Sequence, residues 1–141
     1  MSDASVIKFL RSCVDRMELL SSIDSDGDIS IVFSTSDDIP YEMTVFIMEE
    51  DGYVGLRAYM FDFEVPDAVR NEVMEVLNFS NADNKFPKAY LQNSHVMTEF
   101  WIPYPGGMTV EYVVENIIGP FISASASIYR ALFEKLLEPD K

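Results

Sequence analysis

"SIDSDGDISIVF", Ser22 to Phe33, sets three aspartates and a glycine directly ahead of an apolar stretch. A helix–loop–helix calcium site needs oxygen ligands at positions 1, 3 and 5, glycine at 6 and a bidentate glutamate at 12. Counting from Asp24 places Asp26 and Asp28 correctly, but Ile29 falls at position 6 and Thr35 at position 12. Counting from Ser22 puts Gly27 at position 6 and Phe33 at position 12. Both registers lose the closing carboxylate, and the residues after Asp28 have strand rather than helix period. The Asp26-Gly27 pair is therefore read as a tight turn whose glycine accepts positive φ. Specific calcium binding at Asp24, Asp26 and Asp28 is not expected.

Outward from that turn the pattern is antiparallel. Ile29, Ile31 and Phe33 alternate with Ser30, Val32 and Ser34. After a polar loop through Ser36-Asp37-Asp38 and Pro40, Met43, Val45 and Ile47 alternate with Thr44, Phe46 and Met48. Asp51-Gly52 is a second hairpin turn, and Val54, Leu56, Ala58 and Met60 alternate with Tyr53, Arg57 and Tyr59. Two further short strands, Lys88 to Leu91 and Val96 to Ile102, are joined through Gln92-Asn93-Ser94-His95.

Helices flank and interrupt these strands. Residues 4 to 20 carry Val6, Leu10, Cys13 and Met17 at helical spacing, with Ser2 or Asp3 able to cap the start. Pro66 opens a second helix, with Asp67 at the positive end of its dipole and Val69, Val73, Val76 and Leu77 as its stripe. It should end between Asn78 and Asn84. Pro103-Tyr104-Pro105-Gly106-Gly107 should break the sheet. Thr109 caps a last helix running to Leu137, which Pro120 should kink or split because it cannot donate to residue 116. The expected order is α-β-β-β-α-β-β-α: an α+β fold over residues 1–141 as one domain, an antiparallel sheet with packed helices.

Composition narrows the functions. The chain has 141 residues, 48% of them apolar, and 24 acidic against 10 basic residues give a net charge of −14. Such a charge repels phosphate backbones and anionic membranes, so neither nucleic acid nor membrane is an expected partner. It suits solubility or a cationic protein segment. The single cysteine, Cys13, fits a reducing cytosol and sits on the apolar stripe of the first helix as a small buried hydrophobe. No signal peptide and no membrane span are expected.

No catalytic residue, cofactor or metal site emerges. His95 is the only histidine and falls in a hairpin turn. No Cys/His set could hold zinc, and Gly106-Gly107 lacks the lysine of a phosphate loop. Glu49-Glu50-Asp51 reads as solvated turn surface. No enzyme is expected.

One feature points to binding. With Ile31, Val45 and Leu56 facing inward, Val32, Phe46, Met48, Tyr53 and Tyr59 face outward; in the last strand Met97 and Trp101 lie opposite Phe100 and Ile102. A sheet apolar on both faces needs a second cover. Either one helix covers each face, or Phe46, Met48, Tyr59, Met97 and Trp101 form a dimer or partner surface. A homodimer is the expectation.

Four segments carry a resemblance: "DGDISIVF", "DGYVGLRAYM", "VLNFSNADNKFPKAYL" and "GGMTVEYVVENIIGPF". They run from about residue 20 to the end, and Leu77-Asn78-x-x-Asn81 with Lys88-Ala89-Tyr90-Leu91 after it is their most specific part. Together they resemble the YbjN-like family, labelled as candidate bacterial sensory-transduction regulators. That family's fold is similar to type III secretion chaperones, small acidic dimers that hold a partner segment in extended form. The resemblance implies this fold and dimerisation; it does not extend to secretion, and it brings no catalytic motif. Asn78 and Asn81 are read as residues that bond nearby backbone. The expected function is a cytoplasmic, non-enzymatic, chaperone-like or regulatory protein-binding domain. The alternative is a small-molecule- or metal-sensing regulatory domain.

Overall fold

The acidic stretch is a hairpin loop. In the computed structural model, which describes residues 4–104 and 106–136, the Asp24 N–H donates to the Asp28 carbonyl (2.9 Å) and the Gly27 N–H to the Asp24 carbonyl (3.0 Å). Gly27 has φ +86°, the left-handed residue that closes the loop. The loop joins a short strand that the sequence pattern does not predict, β1 (Ser22–Ile23), to β2 (Ile29–Phe33). Two residues are too few for alternation to register.

β3 (Met43–Glu50) and β4 (Tyr53–Tyr59) come next, joined at Asp51 and Gly52, both with positive φ as a two-residue hairpin requires. Glu49 and Glu50 thus belong to β3, leaving only Asp51 of that acidic trio in the turn. β5 (Lys88–Gln92) and β6 (His95–Pro103) complete the sheet. His95 is the first residue of β6, paired with Gln92, rather than part of the turn. All neighbours are antiparallel in the order β1-β2-β3-β4-β6-β5, so β6 lies between β4 and the edge strand β5.

The first helix, α1 (Ala4–Arg16), is shorter than the predicted 4–20. Glu18 adopts φ +60°, and the Glu18 and Leu19 N–H groups donate back to the Asp15 and Val14 carbonyls, a Schellman end that apolar spacing cannot reveal. Pro66 precedes a 3₁₀ turn (Asp67–Val69) that leads into α2 (Arg70–Asp83). Thr109 caps α3 (Val110–Val113), its hydroxyl accepting the Tyr112 N–H at 3.1 Å. The break expected at Pro120 takes the form of a π turn, Val114–Ile118, before α4 (Gly119–Leu136). The Gly119 N–H reaches the Val114 carbonyl, and a Cβ at Gly119 would lie 2.7 Å from that oxygen, so glycine is needed there. The predicted cap at Ser2 or Asp3, Pro105 and Leu137 lie outside the described residues.

One core holds these elements. It joins Leu10, Cys13 and Val14 of α1, Val73 and Leu77 of α2 and Phe121, Ile128, Tyr129 and Leu132 of α4 to one face of the sheet. That face carries Ile29, Ile31, Val45, Ile47, Val54, Leu56, Ala58 and Val96. Tyr129 is fully buried, and its hydroxyl donates to the Val96 carbonyl at 2.6 Å, pinning α4 onto β6. Thr98 and Ser125 share a buried hydrogen bond of 2.8 Å beside it. The arrangement with one helix on each face is thereby corrected: the helices gather on one side. Among the described residues no helix is long and apolar enough to cross a membrane.

Candidate functional site: the helix-free face of the sheet

Alternation sends every second residue of β2–β6 away from the helices. On that side Phe46 pairs with Arg57, Met48 with Gly55, Gly55 with Trp101, Arg57 with Glu99, and Tyr90 with Met97. The five predicted surface residues Phe46, Met48, Tyr59, Met97 and Trp101 therefore share one face, and none of them belongs to the core beneath the helices.

They form two apolar groups around a charged centre. At one end Phe46 stacks on Tyr59 with ring centroids 5.8 Å apart, and Phe61 packs on Tyr59 at 4.3 Å. His95 meets Tyr59 edge-on at 6.0 Å, and its Nε2 lies 3.2 Å from the Phe61 carbonyl oxygen. At the other end Trp101 lies flat over Gly55: a Cβ there would come within 2.6 Å of three ring atoms. Glycine permits that approach.

Between the two groups sits Glu99, only 8% exposed. Its Oε1 accepts from Arg57 Nε (2.8 Å) and the Tyr90 hydroxyl (2.6 Å), and its Oε2 accepts from Trp101 Nε1 (2.9 Å). Lys88 Nζ stands 3.9 Å away. Burial alone would raise the Glu99 carboxyl, but the three hydrogen bonds and the Arg57 charge outweigh it and hold it below the usual carboxylate range. Burial and the bond to Glu99 push the Tyr90 phenol up to about 12. The carboxylate is thus kept ionised, and through Oε2 it fixes the plane of Trp101. Sequence reasoning missed this centre. Its signal is present: Arg57 and Glu99 occupy outward positions among the aromatics, but only register shows that they are opposite one another.

The other singled-out residues have structural work. Asp24, Asp26 and Asp28 do converge, with carboxylate oxygens within 4.8 Å of one another. Asp24 Oδ1, however, accepts the N–H groups of Asp26 (2.9 Å) and Asp28 (3.0 Å), so it clamps the turn. Burial, then the charges of Asp24 and Asp26, raise the Asp28 carboxyl. Cys13 is fully buried, which pushes its thiol up to about 11. The Asn81 amide bonds both backbone groups of Ala89, donating to its carbonyl and accepting its N–H, each at 2.8 Å. It thereby occupies part of the free edge of β5. Asn78 is an exposed residue of α2.

Residues 10–134 match the profile of a family described as "Putative bacterial sensory transduction regulator". No curated protein matches the chain. Among solved structures it is similar to one titled "Crystal structure of YbjN, a putative transcription regulator from E. coli". The TM-score is 0.71 over 96% of this chain and 97% of that one. At 13% identity this likeness shows a shared fold and nothing further. With the profile spanning nearly the whole described chain, the protein belongs to the YbjN family.

Proposed function

We propose that this chain is a cytoplasmic, non-enzymatic regulatory protein that works by binding protein, and that two copies pair through the helix-free sheet face. The observation that carries the reading is the gathering of Phe46, Met48, Tyr59, Met97 and Trp101 on a face that, among the described residues, no helix covers. On that face Tyr53 and Phe61 stand exposed, Phe46, Met48, Tyr59 and Trp101 are half-buried and Met97 is buried; apolar surface of this kind marks interaction sites, where aromatic and Met residues are enriched.

Charge supports a second copy as the occupant. The whole chain carries −14, yet the centre of this face is Arg57, Glu99 and Lys88. Repulsion between copies therefore falls at the rim rather than at the contact. Five strands of five to nine residues, about 4.8 Å apart and rising about 3.4 Å per residue, offer roughly 500 Å² in projection, and side-chain relief adds to it. A stable dimer takes roughly 600–1,000 Å² from each copy, which is within reach. The sequence resemblance to a family whose fold looks like that of type III secretion chaperones implies dimerisation, in line with this reading. The reactive side chains are also occupied: His95 against the Phe61 carbonyl, Cys13 in the core.

Light scattering should report twice the chain mass at micromolar concentration, and Trp101→Glu should shift it toward monomer while circular dichroism stays native. Higher salt should strengthen the dimer slightly by screening. A wild-type monomer at high micromolar concentration would refute the pairing.

A further inference from the structure

We propose that the groove between α2 and α4 is a docking site for a cationic amphipathic helix of a partner protein. The proposal rests on the protein-binding reading above but not on the dimer. The groove encloses about 460 Å³ on the outside of the helical layer, the opposite side of the sheet from the aromatic face. Its apolar lining is Val76 and Phe79 of α2 with Ile128 and Ala131 of α4. Ile128 forms a buried floor, whereas Phe79 stands 72% exposed on the wall. A large apolar side chain held that far into water is one that association can bury.

The rim selects the charge of the occupant. Glu72 and Glu75 line the groove from α2 and Glu134 from α4, against one cation, Lys135. Glu72, Val76 and Phe79 lie at helical spacing on one face of α2, so the carboxylates border the apolar strip rather than interrupt it. A partner with aliphatic side chains flanked by lysines or arginines meets both features.

The walls select its conformation. Both are helices, whose backbone donors and acceptors are consumed internally, so an extended segment would find no edge to pair with. A helix arrives with its own backbone satisfied and needs only side-chain contacts, the groove-binding mode of amphipathic helices. The free strand edges lie elsewhere, and Asn81 already occupies part of the one nearest α2.

The test uses a fluorescein-labelled leucine–lysine peptide with leucines at helical spacing, titrated with the full chain and monitored by anisotropy. Controls are a leucine–lysine peptide with alternating, strand-period order and a leucine–glutamate peptide at helical spacing. The helical cationic peptide should bind at micromolar concentration and outbind both controls. The Glu72→Lys/Glu75→Lys double variant and Phe79→Ser, all at exposed positions, should each weaken it by about tenfold. Ala131→Asp tests the opposite wall in the same way. Trp101→Glu should leave binding unchanged, which separates the groove from the sheet face. No binding, equal binding of the strand-period peptide, or indifference to all three groove variants would overturn the proposal. Loss on Trp101→Glu would overturn it too, by assigning the peptide to the sheet face. Mass from light scattering, measured in parallel, reports on the dimer independently.

Discussion

Gly55→Ala sets two effects of opposite sign against each other. In a strand interior, glycine is generally less favourable than alanine by about 0.5–1 kcal/mol, so the generic expectation is a gain in stability. Here the new Cβ would lie 2.6 Å from three atoms of the Trp101 ring, where ordinary contact begins at 3.4 Å. The ring must lift, and it is held down by the 2.9 Å bond from Nε1 to Glu99 Oε2. A displacement that restores contact distance stretches this bond beyond useful length. A hydrogen bond to a charged group contributes about 1.5–3 kcal/mol, so the loss exceeds the gain and the net change is about 1–2 kcal/mol destabilising. Trp101 is the sole tryptophan, so its emission reports the ring directly. Urea unfolding monitored by that emission and by circular dichroism gives the stability. A chain of this size loses about 3–4 °C of Tm per kcal/mol. In a Trp101→Leu background the same glycine substitution should become neutral or stabilising, since the clash partner is gone. A stabilised Gly55→Ala with unchanged emission would refute the account of Trp101 lying on Gly55 and tethered to Glu99.

Glu99 titrates below the ordinary carboxylate value of 4.5, so its contribution is fully present above that pH and is lost as pH falls through the lower folded value. The stability difference between wild type and Glu99→Gln should therefore be constant at neutral pH and shrink in acid; a difference that stays constant down to acid unfolding contradicts the network. Asn81→Ala removes both bonds to Ala89 and should cost about 1–2 kcal/mol. It should also raise aggregation by freeing the β5 edge, measured by turbidity on heating. Tyr129→Phe leaves the Val96 carbonyl without its 2.6 Å donor in the core and should cost about 1–3 kcal/mol in chemical denaturation. A neutral Tyr129→Phe would mean that the Tyr129 hydroxyl adds nothing to the hold of α4 on β6 beyond apolar packing and the Thr98–Ser125 bond.

Much of this protein was legible from sequence because the signals are local. Period-two alternation identified β2 to β6, the Asp-Gly pairs placed two turns with positive φ, and Thr109 announced the last helical run. Parity within each strand put Phe46 and Met48 on one side of β3 and Met97 and Trp101 on one side of β6; strand pairing joined those sides, with Tyr59, into one face. Other features needed the tertiary structure. A strand apolar on both sides has no preferred face in its own pattern. Which side received the helices was decided by the joint burial of α1, α2 and α4 against Ile31, Val45 and Leu56. The left-handed end of α1 at Glu18 and the π turn before Pro120 answer to neighbouring backbone rather than to periodicity. Asn81 meets Ala89 only because α2 lies along β5. Glu99 became a satisfied buried carboxylate only when register set Arg57 and Tyr90 beside it, and the α2–α4 groove exists only where two helices distant in sequence come to rest side by side. Alternation and turn chemistry act over a few residues, whereas each of these depends on contacts between segments that only the folded chain brings together.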